Sequence, residues 1–92
     1  VNRDQMVELW ERHVADEFEL RDADLAVSTM VDDATVMHLP TMSGGAGKEH
    51  LRRYYAETFI PGIPADTTSE PIARSVGDGF VIDEFIMRMT HD

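Results

Sequence analysis

Between Asp4 and Leu20 the apolar residues Met6, Leu9, Trp10, Val14 and Phe18 recur at three- and four-residue intervals, the spacing that lines up one stripe of an α-helix. That stripe predicts a first helix with its apolar side toward the core. Arg21-Asp22 breaks the pattern, and Asp22 is suited to cap a second, shorter helix carrying Leu25, Ala26 and Met30. The run Ala34 to Leu39 reads as a short strand closed by Pro40, which lacks the N–H a ladder needs. Ser43-Gly44-Gly45-Ala46-Gly47 reads as a loop feeding a third helix, KEHLRRYYAETFI, with Leu51, Tyr54, Tyr55, Thr58 and Phe59 on one face. Pro61, Gly62 and Pro64 stop it. Ser69 to Val76 and Phe80 to Thr90 then flank Gly77-Asp78-Gly79, a hairpin signal. Alternation puts Val81, Asp83, Phe85, Met87, Met89 and His91 on one side of the last strand and Phe80, Ile82, Glu84, Ile86, Arg88 and Thr90 on the other.

The layout is α+β, with helices first and an antiparallel sheet after. At 92 residues there is room for one domain (residues 1–92) and a small core. No internal repeat or low-complexity segment appears. Eighteen acidic residues against eight basic ones give a formal charge of −10, a field that repels nucleic-acid backbones and anionic membranes. The lack of cysteine excludes disulfides, thiolate metal sites and cysteine nucleophiles, and agrees with a reducing, cytoplasmic setting. Neither a signal sequence nor a membrane-spanning run is seen, so the expectation is a chain that is neither exported nor membrane-bound.

Asp83 is the oddest residue for chemistry, since alternation sets it among Val81, Phe85 and Met87. A carboxylate on an apolar face is costly unless paired or protonated, and a raised pKa would make it a general acid or base. The alternative is a sheet-edge residue bonded to a backbone amide or to Arg74. His38, at the end of the first strand, is a second candidate for proton transfer, against the plainer role of a hydrogen-bonded packing residue. His13, His38, His50 and His91 are the only imidazoles. His13 and Glu17 have i,i+4 spacing, but further ligands would have to converge for zinc, so no metal site is expected. SGGAG lacks the GxxxxGK[ST] pattern and is no phosphate loop. Tyr54 and Tyr55 fit packing better than ligand recognition.

The segments MHLPTMSGGAGKEHLRRYYAETFIPGIPADT and VGDGFVIDEFIMRMTHD resemble a branch of the nuclear transport factor 2-like, or SnoaL-like, superfamily, close to the accessory domain found beside dienelactone hydrolase. The stretch from His38 to Gly45 is the most specific part. The resemblance implies a cone-like domain in which helices close one side of a curved antiparallel sheet around a pocket, bordered here by His38, Tyr55, Phe59, Asp83 and Phe85. It also implies no cofactor. Relatives include cyclases, dehydratases, isomerases and non-catalytic modules, so the fold does not select a function. The usual domain continues with further long strands where this chain ends at Asp92, so an exposed strand edge is expected to seek another chain, as a homodimer or with a separate partner.

Two functions follow as expectations. One is a small-molecule-binding or dimerisation module whose apolar surface comes from Trp10, Tyr55, Phe59, Phe85 and Met87, with an apolar or carbonyl-containing ligand. The other is a cofactor-independent cyclase, isomerase or dehydratase with Asp83 as general base and His38 or Tyr55 polarising an oxygen.

Overall fold

A computed structural model describes residues 2–90. His91, grouped above with Asp83, lies outside the described residues. Helix α1 spans Arg3–Phe18 and starts with a reciprocal cap: the Asn2 side chain accepts from the Gln5 amide while the Gln5 side chain accepts from the Asn2 amide. Helix α2, Ala23–Ser28, is capped as expected by Asp22, whose carboxylate accepts from the Leu25 amide at 3.1 Å.

Strands β1 (Thr35–His38) and β2 (Ser43–Ala46) form a small antiparallel pair around a 3₁₀ turn, Leu39–Thr41. Four residues of the glycine-rich stretch read as a loop, Ser43–Ala46, therefore form a strand, while Gly47, at φ 89°, turns the chain into the next helix. The strand's own glycines are there for closeness, not for a turn: a Cβ on Gly44 would sit 2.1 Å from the Val36 carbonyl oxygen, and one on Gly45 2.2 Å from the His50 ring. Composition that argues against a strand is here what lets β2 press against β1 and α3.

Helix α3, Lys48–Tyr54, follows directly, and its last turn widens into a π-helical turn over Tyr55–Phe59. Strands β3 (Thr68–Gly77) and β4 (Phe80–Arg88) form the expected hairpin around Asp78-Gly79, with a bulge in β3 between Pro71 and Ala73. Among the described residues the two pairs, β1–β2 and β3–β4, are separate two-stranded sheets, and neither is closed into a barrel.

The core lies between the helices. Ala26, Val27, Leu51, Tyr55 and Ile60 are buried together, with Met30, Val36, Tyr54 and Phe59 packed partly against them. The apolar stripe of α1 does not supply the buried part of that helix. His13, Asp16 and Glu17 are its buried residues, while Leu9 is exposed and Met6, Trp10, Val14 and Phe18 are only half-buried. Helix α2 packs on the His13 side of α1, through Ala26 and the adjacent Thr29, and the β3–β4 ribbon meets α1 at Trp10 and Glu11.

Candidate functional site

Among the described residues three polar clusters stand out: Asp83 and His38 fall in two of them, and Tyr55 with the His13–Glu17 pair in the third.

Asp83 sits opposite Arg74 in the hairpin register. Arg74 donates from Nε to Oδ1 at 2.7 Å and from Nη2 to Oδ2 at 3.1 Å, and the Trp10 indole N–H donates to Oδ2 at 2.6 Å. The outer guanidinium nitrogen Nη1 reaches Glu11 Oε1 at 2.7 Å. The Arg74 bonds first, then the Trp10 bond, hold the Asp83 carboxyl below its ordinary range. Its side chain is only 16% exposed, so a charge on the inner face is tolerated because both oxygens are occupied. The arrangement ties the hairpin to α1. It resembles the alternative in which Asp83 bonds to Arg74 more than it resembles a carboxyl held neutral for catalysis.

His38 belongs to a different cluster. Its Nδ1 lies 2.6 Å from the Tyr54 hydroxyl, which is 2.9 Å from Ser43 Oγ, which is in turn 2.7 Å from Thr41 Oγ1. The imidazole stacks on Phe59 with centroids 4.4 Å apart and planes within 8°. Strand β1 delivers His38, the 3₁₀ turn delivers Thr41, β2 delivers Ser43 and the end of α3 delivers Tyr54. A hydroxyl chain of this kind can pass a proton along its length. The phenol in this chain is Tyr54, not Tyr55, and no described hydrogen bond joins the chain to Asp83.

The third cluster is the most buried. His13 Nδ1 lies 3.0 Å from the Ala26 carbonyl and 2.7 Å from Thr29 Oγ1. Its Nε2 lies 3.3 Å from Glu17 Oε1 and 3.3 Å from the Tyr55 hydroxyl. A carbonyl can only accept, so Nδ1 carries a proton; a carboxylate on the other nitrogen favours a second. Burial opposes the charge, but Glu17, the Ala26 carbonyl and Asp16 outweigh it and raise the His13 pKa. Burial first, then Glu17, also pushes the Tyr55 phenol upward. Asp16 is 4% exposed, and its Oδ2 has no hydrogen-bond partner among the described residues. The sequence signal for this cluster was the i,i+4 pair His13 and Glu17. Composition gave no hint that the pair faces inward toward Tyr55.

Among the described residues no three metal-ligating side chains converge, and no helix is long and apolar enough to cross a membrane. Two open depressions of about 260 Å³ mark the surface, one lined by His50, Arg53, Tyr54, Glu57 and Thr58, the other by Gln5, Glu8, Leu9 and Arg12. Neither is lined by Trp10, Tyr55, Phe59, Phe85 or Met87. Tyr55 is core and Phe59 stacks under His38, whereas Trp10 bonds to the hairpin through Asp83, and Phe85 stands on β4 opposite Pro71, 46% exposed rather than on a covered apolar face. Compared with family models, with curated proteins and with solved structures, the chain matches none.

Proposed function

We propose that this chain is a non-catalytic association module, which assembles with another chain and presents apolar surface through its β3–β4 hairpin. The observation that carries the reading is the outward row of β4: Phe80 is 50% exposed, Ile82 57% and Ile86 41%, with Ile72 of the bulge exposed beside them. An isolated two-stranded ribbon is marginal in water, and contiguous apolar surface on a soluble domain marks a contact site. The nuclear transport factor 2-like resemblance, whose relatives include non-catalytic modules, is compatible with this reading. It would supply the cone only if further strands joined the two small sheets.

Sedimentation of the chain over a concentration series tests the proposal. A mass rising toward twice the chain mass, with the rise abolished by the double substitution I82S and I86S, is expected. A monomer at every concentration overturns it.

One observation favours a second reading, the cofactor-independent enzyme: the Thr41–Ser43–Tyr54 hydroxyl chain ends on an imidazole. In that reading His38 is the proton acceptor, because Asp83 is ion-paired and held acidic and so makes a weaker base. Deuterium exchange into a panel of β-diketones, followed by NMR, tests it. Exchange lost in H38Q supports the enzyme; exchange no faster than buffer for the parent chain removes it.

A further inference from the structure

Strand β4 has one edge hydrogen-bonded to β3 and, among the described residues, no strand on its other edge. The Asp78-Gly79 connection closes on the pair Gly77 and Phe80, and a two-residue turn makes that closing pair a doubly hydrogen-bonded one. Alternation from Phe80 then directs the N–H and C=O groups of the even-numbered residues toward β3. Thr90 agrees, since its amide turns back to the Asp66 carboxylate, just ahead of β3, at 3.0 Å. The backbone groups of Val81, Asp83, Phe85 and Met87 therefore face the free edge, and no described backbone bond from outside the hairpin reaches them.

The two edges of the hairpin are not equally open to a new strand. On β3, Pro71 removes a donor and the adjacent bulge breaks the register. Strand β4 runs nine residues, FVIDEFIMR, with neither device. Its outward row also carries a charge pattern that is complementary to itself. Reversing the strand about Ile86 sets Glu84 opposite Arg88, Ile86 opposite itself, and Phe85 opposite Met87. Reversing it about Glu84 would set carboxylate against carboxylate, which is unfavourable directly across a ladder.

Resting on the association reading above, we infer that the occupant of this edge is a second copy of the same chain, its β4 paired antiparallel about a two-fold axis at Ile86. Glu84 faces the partner's Arg88, and the reciprocal pair forms on the other side of the axis. Phe85 and the partner's Met87 exchange backbone hydrogen bonds, and the two hairpins make one four-stranded sheet. Ile86 stands on the axis in a pair without mutual hydrogen bonds, the closer of the two antiparallel spacings. Arg88 already meets Glu70 of its own hairpin at 3.2 Å with both side chains well exposed, so it is free to reorient or be shared.

The chain has no native cysteine, so single-cysteine variants report the register directly. In solutions dimeric by sedimentation, I86C is expected to cross-link under mild oxidation, because antiparallel partners of this type stand about 4.5 Å apart at Cα. E84C and I82C are expected not to. E84R and R88E should each raise the dimer dissociation constant by about tenfold or more, from two like-charge pairs replacing two opposite ones, and mixing the two variants should restore it. E84R makes the chain less negative, so a tighter E84R dimer would overturn the pairing. A dimer that cross-links at position 84 or 82 and not at 86 overturns the register but leaves the association module standing. A chain that stays monomeric overturns both. If a charge variant fails to fold by circular dichroism, the cross-linking pattern decides.

Discussion

Replacing Trp10 by Phe separates a structural role for Asp83 from a catalytic one. The indole N–H donates to Asp83 Oδ2 at 2.6 Å, and the substitution deletes that donor while keeping an aromatic ring against the hairpin. A hydrogen bond to a charged group contributes about 1.5–3 kcal/mol when buried. Asp83 retains 16% side-chain exposure, so water replaces part of the lost bond and about 1 kcal/mol remains. The smaller ring loses further apolar contact, about 0.5 kcal/mol for roughly 20 Å². The sum, about 1.5 kcal/mol, lowers Tm by about 6–12 °C in a domain of this size. Thermal and urea unfolding followed by far-ultraviolet circular dichroism measure it without needing the tryptophan signal. D83N should destabilise as well, and the double variant should fall short of the summed losses by at least about 0.5 kcal/mol, because the two residues share one contact. A Tm within about 2 °C of the parent for W10F, or strict additivity in the cycle, would refute the claim that this pair ties the hairpin to α1.

Three other outcomes follow from the same structure. The His13 pKa is raised in the fold above its ordinary 6.5, so its contribution to stability is full below 6.5 and is lost as pH rises through the folded value, whereas Asp83 and Asp66, lowered from 3.8, contribute above 3.8 and lose that contribution as pH falls; urea midpoints across pH should therefore decline on both flanks, with the alkaline decline absent in H13Q. Leu51 is fully buried, and L51A should cost about 2–5 kcal/mol by equilibrium unfolding, a loss under about 1 kcal/mol contradicting the assigned core. G44A would drive a methyl against the Val36 carbonyl oxygen, which belongs to the backbone and cannot swing aside, so a loss of about 1–3 kcal/mol is expected and an unchanged midpoint would mean β2 does not lie there.

Local signals in the sequence carried much of this fold. Asp22 capped where an N-cap was expected, Pro40 ended β1, and Asp78-Gly79 turned the hairpin, each because the residue's own stereochemistry decides the matter. Two features depended on what lies across space. Strand β2 was hidden because its glycines serve a close approach of Val36 and His50, a spatial requirement that hydrophobic periodicity and strand propensity do not register. The inward face of α1 was hidden because a polar pair, His13 and Glu17, becomes buriable only when the Ala26 carbonyl, Thr29 and Tyr55 supply partners. For the candidate site, the residues His38 and Asp83 were legible as unusual, but their separation into two clusters was not. Partner choice turned on Tyr54 reaching β1 and on Arg74 standing opposite Asp83 across the hairpin.

The polar interior of α1 bears on why the hairpin should seek a partner. A helix that buries His13, Asp16 and Glu17 contributes less apolar area than one burying its Met6, Leu9 and Trp10 stripe, and the buried apolar set is correspondingly short. Folding of so small a domain leaves a narrow surplus over chain entropy. The hairpin draws little on that core. Its fastening to α1 runs through side-chain bonds, Trp10 to Asp83, Arg74 to Glu11, and Arg3 to Asp78. Bonds of this kind fix position, but those near the surface contribute little net stability. Apolar area left exposed on Phe80, Ile82 and Ile86 is a reserve the chain has left, and in the proposed pairing a second copy of β4 would use part of it while satisfying the backbone of the free edge. The proposed pairing would account for two observations together: the apolar exposure along the outward row of β4, and the placing of Glu84 and Arg88 four residues apart around an isoleucine.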